Sequence, residues 1–70
     1  MKSELRVLEL LKKYEEMDKV SVGKKLRIPP KTIELVLDHL EKEELISSEK
    51  DKIKITKKGI EKLNEYKSYR

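Results

Sequence analysis

Seventy residues, 46% of them charged, with no cysteine and a net charge of +4, fit one domain spanning residues 1–70, with a small core and no room for a deep catalytic cleft. Without cysteine, neither a disulfide framework nor a thiolate metal site supports that core, so it must stand on packing alone. No apolar run approaches the roughly 20 residues of a membrane span, and Met1, Lys2, Ser3 and Glu4 open no apolar leader, so a soluble cytoplasmic protein is expected.

The charge is unevenly placed. Residues 1–33 carry nine basic and five acidic groups, residues 34–49 one basic and six acidic, and residues 50–70 eight basic and three acidic. A basic front and a basic tail therefore flank an acidic middle, which matters for nucleic acid because phosphate contacts need cations on one continuous surface.

In chain order, Ser3 is an N-cap candidate with Glu4 in the first turn, where its charge suits the helix dipole. Val7, Leu10, Leu11 and Tyr14 follow at i, i+3, i+4 and i+7, with Leu8 widening the stripe, so a first helix is expected from about Glu4 to Glu16. Leu5 lies off that face and is expected to be partly buried. Asp18 or Ser21 caps a short second helix ending near Arg27, with Val22 and Leu26 on its inner side and Gly23 placed to let another backbone approach. A lone Gly makes no phosphate-binding loop.

The segment Ile28–Leu40 then organises the chain. Pro29 holds the entering backbone extended and Pro30, at the first helical position, supplies a fixed φ and no orphan N–H, so a helix starts abruptly. Ile33, Val36, Leu37 and Leu40 form its buried stripe. Lys31, Glu34, Leu35, Asp38, His39 and Lys42 face outward, and in a helix-turn-helix this is the face that enters a major groove. Leu45 and Ile46 begin an extended segment, residues 49–52 form a polar turn, and Ile53 and Ile55 alternate with Lys52 and Lys54, which predicts a hairpin with one apolar and one basic face. Thr56 caps a last helix carrying Ile60, Leu63 and Tyr66 or Lys67, running to about Lys67.

The expected fold is therefore α+β and mostly helical: a three-helix unit, a β-hairpin wing and a C-terminal helix. RVLELL in the first helix, VGKKLRIPPKTIELVLDHLEKEELI through the bihelical unit and KIKITKKGIEKL after the hairpin together resemble small archaeal and bacterial winged helix-turn-helix regulators over nearly the whole chain. The resemblance implies that Lys31, Glu34, Leu35 and Asp38 stand where relatives present groove-reading side chains, and that Lys50, Lys52 and Lys54 lie on or beside the wing. Arg27 and Glu44 occupy helix ends where relatives often have Gly, at positions that call for φ > 0, a departure that leaves a differently shaped turn open at both. The groove face departs from a good base reader, since it offers two carboxylates and a leucine instead of Arg, Lys, Asn or Gln.

The basic hairpin, extended by Lys57 and Lys58 and by Lys12, Lys13, Lys24, Lys25, Arg27 and Lys31, suits the gripping of phosphates. Lysines on an exposed strand edge also keep it from pairing with other chains. His39 is the only histidine, and a solvated surface position is weighed against a phosphate contact or a pH-responsive group. One His without Cys forms no metal site, no cofactor motif is present, and no Ser, His and acid share a catalytic spacing, so an enzyme is not expected. Tyr14, Tyr66 and Tyr69 are assigned to core or interface packing. The expected partner is double-stranded DNA, and the expected role is transcriptional regulation. The candidate contacts are Lys24, Lys25, Arg27, Lys31, Thr32, Glu34, Leu35, Asp38, His39, Lys50, Lys52 and Lys54. A homodimer stays open, as does the alternative of a protein-interaction module that uses the acidic outward face of the third helix.

Overall fold

The computed structural model describes residues 2–68. Helix α1 (Lys2–Tyr14) leads into a short strand β1 (Glu16–Asp18), followed by α2 (Lys19–Leu26), α3 (Pro30–Lys42), strands β2 (Ile46–Glu49) and β3 (Lys52–Ile55), and α4 (Lys57–Ser68). Among the described residues, four helices and a three-stranded antiparallel sheet result, with strand order β1-β3-β2.

Two details of α1 differ from expectation. The helix already includes Lys2, so Ser3 lies inside its first turn and does not cap it, and the helix stops at Tyr14, before Glu16. Glu15 closes it in the left-handed region (φ 67°), with its N–H donating to the Leu11 carbonyl at 2.8 Å. The buried stripe also leaves out Tyr14: Val7, Leu8 and Leu11 are at most 1% exposed and Leu10 packs half-buried against the core, whereas Tyr14 is 44% exposed. Tyr14 is therefore not a core residue, because at the last turn the inner side of α1 already faces the sheet and leaves the ring outside.

The core is one cluster in which these three residues meet Val22 of α2, Ile33, Leu37 and Leu40 of α3, Leu45 just before β2, Ile46 of β2, Ile53 of β3 and Leu63 of α4. Burying a large aliphatic side chain contributes about 1.5–3 kcal/mol, and every element except β1 gives the cluster at least one such residue. Leu5 packs against it half-buried, as expected.

Asp18 is the cap of α2. Its Oδ2 accepts from the Ser21 N–H at 3.0 Å, while the Ser21 hydroxyl donates to Oδ1 at 2.6 Å. Thr56 caps α4: its Oγ1 accepts from the Gly59 N–H at 3.0 Å and donates to the Glu44 carbonyl at 2.7 Å. Helices α2 and α3 end in the same way. Ile28 N–H reaches the Gly23 carbonyl and Arg27 N–H the Lys24 carbonyl, while Leu45 N–H reaches Leu40 and Glu44 N–H reaches Glu41. Each is the paired bonding of a Schellman ending. The residue it forces into the left-handed region is Arg27 (φ 58°) in one and Glu44 (φ 62°) in the other.

β1 was not anticipated, and it changes the character of the wing. It pairs with β3 at Glu16↔Lys54, Met17↔Ile53 and Asp18↔Lys52, while β2 pairs with the other side of β3. β3 is thus the central strand. Lys52 and Lys54 do not guard an edge, and the protective reading of those lysines fails because both sides of their strand are already paired.

Candidate nucleic-acid interface

Helix α3 starts where the prolines place it. Pro29 is extended (φ −57°, ψ 148°), no side chain caps the helix, and the Pro29 carbonyl accepts from the Ile33 N–H at 2.9 Å. Ile33, Leu37 and Leu40 are buried and Val36 half-buried, so Lys31, Thr32, Glu34, Leu35 and Asp38 all stand exposed on the other side. Leu35 is 71% exposed, a free aliphatic group between two carboxylates. An Arg6 guanidinium nitrogen donates to the Leu26 carbonyl at 2.8 Å, fastening α1 to the end of α2 just before the corner.

The remaining sequence-predicted contacts divide into groups. Lys24 and Arg27 line one groove with Glu34, so the end of α2 and the start of α3 form a single surface. Among the described residues, no carboxylate lies within ion-pairing distance of Lys24, Arg27 or Lys31. Lys25 is turned the other way, with its ammonium 4.9 Å from the Tyr14 ring centroid and that of Lys13 at 5.5 Å. A cation over an aromatic face is worth about 0.5–1 kcal/mol at an exposed site, and this contact occupies a tyrosine expected in core or interface packing. His39 leaves the groove-facing set as well. Its Nε2 lies 3.1 Å from Glu4 Oε2, which ties α3 back to α1.

On the wing, cross-strand partners share a face of the sheet, and the register sets acids beside the lysines. Lys52 stands between Asp18 and Glu49, and Lys54 between Glu16 and Ser47. Lys54 Nζ is 3.6 Å from Glu16 Oε2, and Lys58, just inside α4, pairs with Glu44 at 3.8 Å. Exposed pairs like these contribute little to stability, but each sets a negative charge against the positive one that a phosphate would meet. Lys50 stands apart at the turn, in the left-handed region (φ 57°). The Asp18 carboxyl is held below its ordinary value near 3.8, first by the Ser21 hydroxyl and N–H, with a small contribution from Lys52.

Sequence reasoning missed Glu16, Asp18 and Glu49 as partners of the wing lysines. Their acidity was visible, but only the pairing of β1 with β3 brings two of them there. Among the described residues no group of three His, Asp or Glu side chains is placed to hold a metal ion, and no helix is long and apolar enough to cross a membrane. Tyr69 lies outside the described residues.

A three-helix unit with a proline corner, a hairpin reinforced by a third strand and a closing helix is a winged helix-turn-helix. Two solved structures share this arrangement. A crystal structure of a MepR-like protein complexed with pseudoligands is 25% identical, with a TM-score of 0.89 over 100% of this chain and 54% of that one. The YusO protein from Bacillus subtilis is 26% identical, with a TM-score of 0.86 over 94% of this chain and 52% of its own. The chain thus spans about half the length of each. No protein-family model matches it, and neither does any curated protein.

Proposed function

We propose that this chain is a duplex-DNA-binding winged-helix domain of a transcriptional regulator, non-enzymatic, that grips phosphates through Lys24, Arg27 and Lys31 at the α2–α3 corner and Lys50 at the wing tip. The observation that carries this reading is the exposed outer face of α3 beside corner cations that no acid of the described residues neutralises. In a helix-turn-helix the second helix enters the major groove, and groups at its start are those that meet the flanking backbone. Thr32 adds a hydroxyl there, Leu35 supplies an apolar group for a thymine methyl, and Glu34 and Asp38 can accept only from cytosine N4. Lys25, Lys52 and Lys54 contribute long-range field, and His39 positions α3 through Glu4. A homodimer fits this reading, because two half-sites multiply affinity.

Fluorescence anisotropy on unrelated duplexes tests it. With about four phosphate contacts, affinity should fall about a hundredfold between about 50 and 200 mM salt. An affinity indifferent to salt would remove the mechanism.

A second reading is favoured by Leu35 alone, whose exposure between Glu34 and Asp38 suits a basic groove on a protein partner. Glu34→Lys with Asp38→Lys separates the two. General DNA affinity rises if α3 lies in the groove, whereas capture of a basic partner disappears if α3 is a protein-docking face.

A further inference from the structure

The corner between α2 and α3 encloses an open groove of about 650 Å³. Its floor is aliphatic, running from Val20 across Gly23 to Pro29, Pro30 and Ile33, and Gly23 lets the Ile28 carbonyl and the Ile33 side chain come close beneath it. Val20 is 65% exposed, more than any core neighbour requires. The rim is charged and one-sided: Lys19, Lys24 and Arg27 stand along it against a single acid, Glu34. Among the described residues none of the three cations has an ion-pair partner.

A matching ligand must bury aliphatic groups and present carboxylates. Lys19 and Arg27 are about 12 Å apart along α2 at 1.5 Å per residue, so one carboxylate cannot serve both ends of the rim, and a small molecule with a single acidic head leaves most of it unused. A nucleic-acid backbone satisfies the cations but brings no aliphatic side chains for the floor. An amphipathic peptide supplies both, with anchors one helical turn apart and acids spaced along its length.

We propose that this groove docks an acidic amphipathic peptide segment of a protein partner, which seats two aliphatic side chains beside Val20 and sets carboxylates against Lys19, Lys24 and Arg27. The occupant takes two of the cations assigned to DNA phosphates, so it excludes DNA from the corner. The groove and its rim stand whether or not the chain binds DNA, and the test is run without DNA.

The probe is a synthetic peptide of about 14 residues with two leucines at i and i+4 among glutamates, titrated into isotopically labelled protein beside a twin with lysines for the glutamates. The acidic peptide should shift the amides of Val20, Gly23, Arg27 and Ile33 and bind at least roughly tenfold more tightly than the twin. Val20→Glu, at a site too exposed to unsettle the core, should weaken it by a similar factor with an unchanged circular dichroism spectrum. Lys19→Glu with Lys24→Glu should turn the preference toward the lysine twin. Equal binding of the twins, shifts confined to Leu35 and Asp38, or no shift at about 1 mM peptide would each overturn the proposal. So would hexanoate matching the peptide's affinity, or the same amides shifting with protein concentration alone, which would assign the groove to a second copy of the chain.

Discussion

The α2–α3 corner and the wing hold similar lysines and give them opposite surroundings. At the corner, Lys24, Arg27 and Lys31 have no ion-pair partner among the described residues and Glu34 is the one acid lining the groove, while on the wing Lys54 is paired with Glu16 and the register sets Asp18 and Glu49 on either side of Lys52, beyond ion-pairing distance. Counting lysines along the chain ranks the wing first, and strand register reverses that order. A basic stretch attracts phosphate only as far as its neighbours in space leave it unbalanced.

The largest expected effect would break the comparison by removing the wing's support. Gly59, in the first turn of α4, lies so close to the residue before β2 and the end of β3 that a Cβ there would run into the Leu45 carbonyl oxygen and press on Ile55. Backbone cannot rotate away, so Gly59→Ala should cost about 3 kcal/mol, a large share of the roughly 5 kcal/mol available to a domain of this size. Urea denaturation checks it, and a midpoint close to the parent's would mean that α4 slides freely over the sheet.

Next in size is the direct contest between the two surfaces. Lys24→Ala with Lys31→Ala should reduce duplex affinity at least tenfold and flatten its salt slope by about 2. Lys52→Ala with Lys54→Ala should change affinity by less than about threefold, since each of those lysines already has a neighbouring acid or hydroxyl. If the wing pair mattered as much as the corner pair, the register-based ranking would be wrong.

What the sequence disclosed follows the range of the interactions involved. Pro29 and Pro30 start α3 through their own ring geometry, Thr56 caps α4 three residues from its donor, and the alternation at Lys52–Ile55 needs no partner to be recognised. Resemblance to winged-helix regulators located the two left-handed positions, Arg27 and Glu44. β1 was illegible because Glu16, Met17 and Asp18 have no strand pattern of their own and become a strand only when β3 offers a free side far along the chain. The corner groove was hidden for a related reason. Its floor joins Val20 and Gly23 of one helix to Ile33 of the next, and their facing depends on how sharply the corner turns. Tyr14 misled because an i+7 match at a helix end can fall past the edge of the core.

A smaller effect comes from the left-handed residues. Both glycines are spent on close contacts, at Gly23 and Gly59, and the four positive-φ residues among the described ones, Glu15, Arg27, Glu44 and Lys50, are charged. A side chain in that region costs about 1 kcal/mol relative to Gly. Glu44→Gly should therefore raise stability by about 0.5–1 kcal/mol, losing only an exposed pair to Lys58, and should leave DNA affinity unchanged. Arg27→Gly should bring a similar gain in stability together with a fall in affinity. A stability gain at both sites with no change in affinity at either would mean that the corner arginine meets no phosphate.

The smallest expected effect joins the two regions, because Asp18 both caps α2 and flanks Lys52. Its carboxyl titrates below the ordinary value in the folded chain, through the Ser21 hydroxyl and N–H before any other cause. A depressed folded value means that the stabilisation is complete above the unfolded value of about 4 and is lost as pH falls through the lower folded value. Asp18→Asn keeps a good cap without a titrating group, so its stability near pH 7 should stay close to the parent's, while its decline between about pH 5 and 2 should be shallower. Protonation in the parent also removes one of the acids that balance Lys52, so acid should strengthen the wing's pull on phosphate as α2 loses its cap. Denaturation midpoints of the two proteins across that range decide the matter: parallel curves would show that the cap contributes no pH dependence, and a steeper variant would show that the Asp18 carboxyl is raised, not lowered, by folding.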